Sequence, residues 1–218
     1  MRLKADPLDW LRGLHVLADA ASRWKHDPPQ QAEHACAGGA SVVQLRAKEA
    51  PDREVLAWGR EIRQITRAHN VLFIVNDRFD LALATEADGV HLGQTDLPPD
   101  RIPEDVRSRL LIGRSTHTPE QIRTVCHQPV DYVAFGPLFG TRSKHSPFGP
   151  RGVPALEEMV RRVAPLPAVA IGGIDVTNIT EVRRAGAGAA VISAVAGADD
   201  PVAATRKLVE SMRKGAET

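Results

Sequence analysis

Eight short apolar runs recur along the chain, with helical patterns or turn-rich stretches between them: residues 14–17, 41–45, 71–75, 89–92, 110–113, 131–135, 168–171 and 189–192. Each reads as a strand that is apolar on both faces. Such strands have to be covered on both sides, which a parallel sheet wrapped in helices provides. Eight βα units in about 200 residues imply an α/β fold, a compact single (βα)₈ TIM barrel near that fold's lower size limit. The alternative is an open doubly wound sheet, against which stands the lack of a GxGxxG after the first run.

The segments between the runs support helices. Residues 28–37 form one, ended by Gly38 and Gly39. In 54–69, Val55, Trp58, Ile62 and Ile65 share one apolar face, and Asn70 supplies a stop. A short helical piece spans 79–85. Thr118 caps the next helix, with Pro119 in its first position and Gln121 reaching back. A helix from Val153 turns Leu156, Met159, Val160 and Val163 inward, 175–184 places Ile179 and Val182 on one side, and 201–214 closes the chain. Residues 136–152, rich in Gly, Pro, Ser and basic side chains, form a long loop of the kind that is usually functional. Nothing divides the 218 residues, so the expectation is one domain, 1–218, with 1–12 as an N-terminal extension.

The totals exclude several function classes. A net charge of +1 gives no reason to expect nucleic acid or a membrane surface. Cys36 and Cys126 form no CxxC pair and are expected to be small buried hydrophobes. The N-terminal stretch has no signal-peptide core, and the weakly polar run 185–198 falls short of the roughly 18 residues of a membrane span, so a cytoplasmic protein is expected.

In a barrel, chemistry belongs at the carboxyl ends of the strands. The third run ends in Asn76 and Asp77, and the fourth leads to Gly93, Gln94, Thr95 and Asp96. Carboxylates at two successive strand ends are placed to meet across the mouth and hold a hard cation such as Mg²⁺ with a substrate's phosphates. Alternatively, Asp77 caps the following helix and Asp96 starts a turn. The second run ends in Gln44, Leu45, Arg46, Ala47 and Lys48; alternation puts Gln44, Arg46 and Lys48 on one side. Ser115 and His117 follow the fifth run, the first as a hydrogen-bond donor to a phosphate, the second as an acid–base candidate or a rim residue. Thr141, Arg142, Ser143 and Lys144 combine hydroxyls and cations suited to phosphates. Gly172, Gly173, Ile192 and Ser193 end the last two runs, where barrels commonly bind phosphate.

Six segments in this order, VQLRAK (43–48), NDRFDLALATEADGVHLGQTD (76–96), GRSTHTPEQ (113–121), DYVAFGPLFGTRSK (131–144), AIGGI (170–174) and AVISA (190–194), resemble the thiamine phosphate synthase family. That family joins 4-amino-2-methyl-5-(diphosphooxymethyl)pyrimidine to 4-methyl-5-(2-phosphooxyethyl)thiazole and releases pyrophosphate. The resemblance implies a transferase working through a dissociative pyrimidine-methyl cation, with one Mg²⁺ per subunit. It implies pyrimidine-diphosphate contacts at Gln44, Leu45, Arg46, Ala47, Lys48, Asn76, Ser115 and Lys144, with Arg46, Lys48, Ser115 and Lys144 catalytic. Thiazole-phosphate contacts fall on Thr141, Arg142, Ser143, Gly173, Ile192 and Ser193, and metal ligation on Asp77 and Asp96. The partners expected are small phosphorylated substrates, with a homo-oligomer left open. Residues 14–29 match poorly beyond Asp19; Ser143 replaces a usual Thr, Gly140 a frequent Pro, and Arg114 a small residue. Two other functions are weighed beside it: a thiazole tautomerase of the same barrel family using His117, and a non-catalytic phosphate-ligand sensor.

Overall fold

The protein is described by a computed structural model covering residues 7–140 and 147–216. Its strands are β1 (Leu14–Asp19), β2 (Val42–Arg46), β3 (Leu72–Asn76), β4 (Gly89–Leu92), β5 (Leu111–Thr116), β6 (Tyr132–Phe135), β7 (Ala168–Ile171) and β8 (Gly188–Val191). Each pairs in parallel with its sequence neighbours, and β8 closes onto β1 to complete an eight-stranded TIM barrel.

Strand alternation divides the core in two. Val43, Phe73, Val75, Val90, Ile112 and Val133 belong to the layer packed beneath the helices. Leu17, Val42, Ile74, Tyr132, Val169 and Ala190 form a separate cluster inside the barrel. The buried polar residues His15, Gln44 and His91 share the inward phase. His15 lies low in the barrel, while Gln44, Asn76, His91 and Ser115 gather toward the strand carboxyl ends.

The short helix α1 (Pro7–Leu11) falls within the expected N-terminal extension. Its Leu11 is fully buried in the barrel-interior cluster, and the Leu11 carbonyl accepts from Nε2 of His15 at 2.8 Å. Helix α2 (Pro28–Ala37) starts in a capping box: the Asp27 carboxylate accepts from the Gln30 N–H, and the Gln30 amide oxygen from the Asp27 N–H. Helix α3 (Asp52–His69) ends at Asn70, which takes the left-handed conformation at φ 57°. Helix α4 (Phe79–Ala84) follows β3.

Between β4 and β5 lie a 3₁₀ turn, Pro99–Arg101, and the one-turn α5 (Glu104–Arg107). Neither is legible in the sequence: α5 buries no residue and the 3₁₀ turn buries only Pro99, so neither carries an apolar periodicity. The remaining helices are α6 (Pro119–Val125), α7 (Val153–Val163), α8 (Ile179–Arg184), α9 (Ser193–Ala196) and α10 (Pro201–Ala216).

Several expectations need correction. Gln121 reaches back past Thr118: its amide oxygen accepts the N–H of His117 at 2.7 Å, while Thr118 Oγ1 caps the Gln121 N–H. Helix α8 begins at Ile179 rather than at position 175. Asp175 accepts the N–H of Thr177 and gives its own N–H to Asn178 Oδ1, a local turn that competes with helix. Val160 is only half-buried on α7. Cys36 is buried as expected, but Cys126, at the end of α6, is exposed.

Candidate active site

Three strands run further than their apolar residues suggest, so that Asp19, Asn76 and Ser115 still lie on the sheet. Their inward phase brings them to the carboxyl end of the barrel. A cavity of about 50 Å³ there is lined by Gln44, Arg46, Asn76, His91 and Ser115, with His15 and Tyr132 among the apolar side chains below them. Arg46 also borders an outer cleft of about 460 Å³ that Lys48 lines. Among the described residues, the side-chain amides of Gln44 and Asn76 have no hydrogen-bond partner, which leaves both directed to whatever fills the cavity. Leu45 and Ala47 take the opposite phase and pack into the layer beneath the helices, so any ligand contact there falls to their backbone.

Arg46 is held from behind. Its Nη1 lies 2.7 Å from Oδ1 of Asp19, and the second oxygen of Asp19 accepts from the Trp24 indole at 2.8 Å. The end of β1 and Trp24 in the loop after it therefore fix one cation at the mouth. Gln31 braces this strand end by accepting the Asp19 N–H and donating to the Asp19 carbonyl.

Lys48 and the two strand-end carboxylates form a chain. Nζ of Lys48 lies 2.5 Å from Oδ2 of Asp77, and the Asp96 carboxyl stands near enough to raise the pKa of the Asp77 carboxyl electrostatically. Asp96 Oδ2 in turn accepts the Gly93 N–H at 2.6 Å. Burial holds the Asp77 carboxyl above its usual range; Lys48 opposes that shift and the Asp96 charge adds to it. Asp77 also adopts a left-handed backbone, φ 68°, with its N–H donated to the His91 carbonyl at 2.7 Å. Strain of that kind costs on the order of 1–3 kcal/mol and clusters at functional sites. Asp77 does not cap the next helix, whose cap position is Arg78.

Two carboxylates brought together at a mouth suit a hard divalent cation. No group of three or more His, Cys, Asp or Glu among the described residues is placed to hold a metal. The pair therefore suits an ion that keeps water and takes further oxygens from a substrate, as Mg²⁺ does.

The opposite side of the mouth is built from closely packed loops. Gly172 and Gly173 have φ of 106° and 67°, and a Cβ on Gly173 would lie 2.2 Å from the Gly140 carbonyl oxygen. Leu138 and Phe139 donate their N–H groups to the carbonyls of Ile171 and Gly172. Glycine is thus required both for the turn and for the approach of the β6 loop. Ile192 is buried and leads into α9, whose first residue is the exposed Ser193. Thr141, Arg142, Ser143 and Lys144 lie outside the described residues.

His117 donates from Nδ1 to the Gly136 carbonyl at 2.6 Å and stacks on Phe148 with ring centroids 4.6 Å apart. Sequence reasoning missed Asp19, His91 and Tyr132 as parts of the site. Asp19 carried a usable signal, since it ends an apolar run as Asn76 and Asp77 do.

Polar groups gathered at the carboxyl ends of barrel strands are the arrangement of a TIM-barrel enzyme. The chain belongs to the thiamine monophosphate synthase family, whose profile matches residues 14–195, and is a transferase. It is 45% identical over 206 residues to a thiamine-phosphate synthase of Anaeromyxobacter dehalogenans, covering 94% of this chain and 90% of that one. A thiamine-phosphate synthase of Roseiflexus castenholzii is 44% identical over 201 residues, with 91% and 88% covered. Among solved structures, a thiamine phosphate pyrophosphorylase from Pyrococcus furiosus superposes with a TM-score of 0.86 at 36% identity, covering 96% of this chain and 99% of that one. Among the described residues, no helix is long and apolar enough to cross a membrane.

Proposed function

We propose that this chain couples 4-amino-2-methyl-5-(diphosphooxymethyl)pyrimidine with 4-methyl-5-(2-phosphooxyethyl)thiazole, giving thiamine phosphate and pyrophosphate. The names of its relatives support the overall reaction. The observation that carries the assignment to these residues is the convergence of Lys48, Asp77 and Asp96 beside a cavity lined by Gln44, Arg46, Asn76 and Ser115.

In this reading the amides of Gln44 and Asn76, with Ser115, hold the pyrimidine diphosphate at the barrel mouth. Arg46 and Lys48 face the diphosphate oxygens, and the family resemblance assigns Lys144 to the same group. Asp77 and Asp96 would hold Mg²⁺, which would supply positive charge against the diphosphate. The C–O bond breaks with its electron pair leaving on pyrophosphate. The aminopyrimidine ring stabilises the methylene cation that remains. The thiazole nitrogen then donates its lone pair to form the C–N bond, and no proton transfer at that nitrogen is needed. Thr141, Arg142, Ser143, Gly173, Ile192 and Ser193 hold the thiazole phosphate so that the nitrogen faces the cation. The protein's work is positioning and charge stabilisation, which calls for cations and amides rather than a nucleophile.

The test is to supply the purified protein with both phosphorylated halves and Mg²⁺. The expected result is equimolar pyrophosphate and thiamine phosphate. Binding of either half without pyrophosphate release would overturn the assignment.

A further inference from the structure

His91 on β4, Gly113 on β5 and Tyr132 on β6 stand side by side in the barrel wall, since the register pairs His91 with Gly113 and Gly113 with Tyr132. A Cβ at position 113 would lie 2.1 Å from Cζ and 2.4 Å from the hydroxyl oxygen of Tyr132. Glycine is what lets the phenol lie across β5. The Tyr132 hydroxyl then reaches Nδ1 of His91 at 2.9 Å, and Nε2 of the same ring lies 2.9 Å from Ser115 Oγ. Ser115 is the next inward position along β5 and lines the cavity.

Burial decides which way these hydrogen bonds run. Tyr132 is 1% exposed, and burial, with the nearby Asp131 charge, keeps its phenol protonated far above the ordinary range. A buried O–H without an acceptor bears its full desolvation penalty. Among the described residues the hydroxyl has one partner, His91 Nδ1, so it donates there. The imidazole proton must then sit on Nε2, which donates to Ser115 Oγ. With that lone pair occupied, the Ser115 proton is left to turn into the cavity. With the opposite tautomer, Ser115 would give its proton to His91 and offer a ligand only a lone pair.

Resting on the function proposed above, we infer that Tyr132 and His91 are positioning residues: a hydrogen-bond relay that fixes Ser115 as a donor toward the pyrimidine diphosphate. The relay is tested by the ¹⁵N and ¹H shifts of His91 in the substrate-free protein, with Tyr132→Phe as the perturbation. Wild type is expected to show the Nε2–H tautomer, and Tyr132→Phe a mixture or the Nδ1–H form. Loss of one oriented hydrogen bond should slow pyrophosphate release about fivefold in Tyr132→Phe. The same change in a Ser115→Ala background should have no further effect. His91→Gln, whose amide N–H can stand in for Nε2–H, should retain more turnover than His91→Leu. An Nδ1–H tautomer in wild type, or an equal effect of Tyr132→Phe with and without Ser115, overturns the relay. Wild-type protein that releases no pyrophosphate overturns the function, while the tautomer still decides the relay.

Discussion

Replacing Asp19 with alanine removes a carboxylate from a site it fills almost completely. Asp19 is 1% exposed, and its two oxygens hold Arg46 at 2.7 Å and the Trp24 indole at 2.8 Å. Removing one partner of a buried pair costs about 3–5 kcal/mol, because the other charge is left uncompensated. Arg46 is 17% exposed, so some water can reach it, and the lower end of that range, about 3 kcal/mol, applies. At this chain length each kcal/mol moves the thermal midpoint by about 2–4 °C, so Asp19→Ala should lower it by about 6–12 °C. Calorimetry on Asp19→Ala, Arg46→Met and the double variant separates the pair from its parts. The double variant should recover most of the loss, since the remaining cation partner of Asp19, Arg23 at 3.8 Å, is 47% exposed and solvated. Arg46 freed from Asp19 should also raise KM for the pyrimidine diphosphate. A midpoint within about 2 °C of wild type, less than 1 kcal/mol, would refute the claim that this pair is a buried anchor.

Other outcomes follow from the same structure. Burial pushes His15 down to about 4 from its ordinary 6.5, against the opposing effect of the Leu11 carbonyl. The unfolded chain takes up that proton first, so the His15 contribution to stability is complete above pH 6.5 and is lost as pH falls toward about 4. The loss is on the order of 3 kcal/mol, read as the fall in urea midpoint between pH 7 and pH 4 that His15→Gln should flatten. Gly173→Ala, which places a Cβ 2.2 Å from a carbonyl oxygen at φ 67°, should cost at least about 2 kcal/mol. Gly39→Ala, with φ 89° but nothing within 4 Å, should cost only about 1 kcal/mol by thermal unfolding. Asp77→Ala and Lys144→Ala should each lower turnover at least tenfold, about 1.4 kcal/mol of barrier, and near-wild-type rates for both would remove them from the site.

The barrel was legible because strands covered on both faces must be apolar throughout, and eight such runs leave few architectures. Their ends were less legible. Apolar runs stop where polar residues begin, yet β1, β3 and β5 continue through Asp19, Asn76 and Thr116. The upper interior of this barrel is a polar cavity, so an inward polar side chain there does not end a strand. The same cause hid His91, a single polar residue within an apolar run. Its place beside Tyr132 depends on the register of three strands and on the missing side chain of Gly113, none of which local periodicity reports. That Asp77 and Asp96 lie near each other was foreseeable, because consecutive parallel strands put their carboxyl ends on one rim. The connection through α5 was not, since a helix that buries nothing leaves no pattern.

The most direct measurement is a crystal structure with the pyrimidine diphosphate and Mg²⁺ bound. The account predicts one ion at about 2.1 Å from an oxygen of Asp77 or Asp96, with the other carboxylate bound directly or through one water, and diphosphate oxygens completing the shell. An ion held away from both carboxylates, or a diphosphate bound with no ion between it and them, would contradict it.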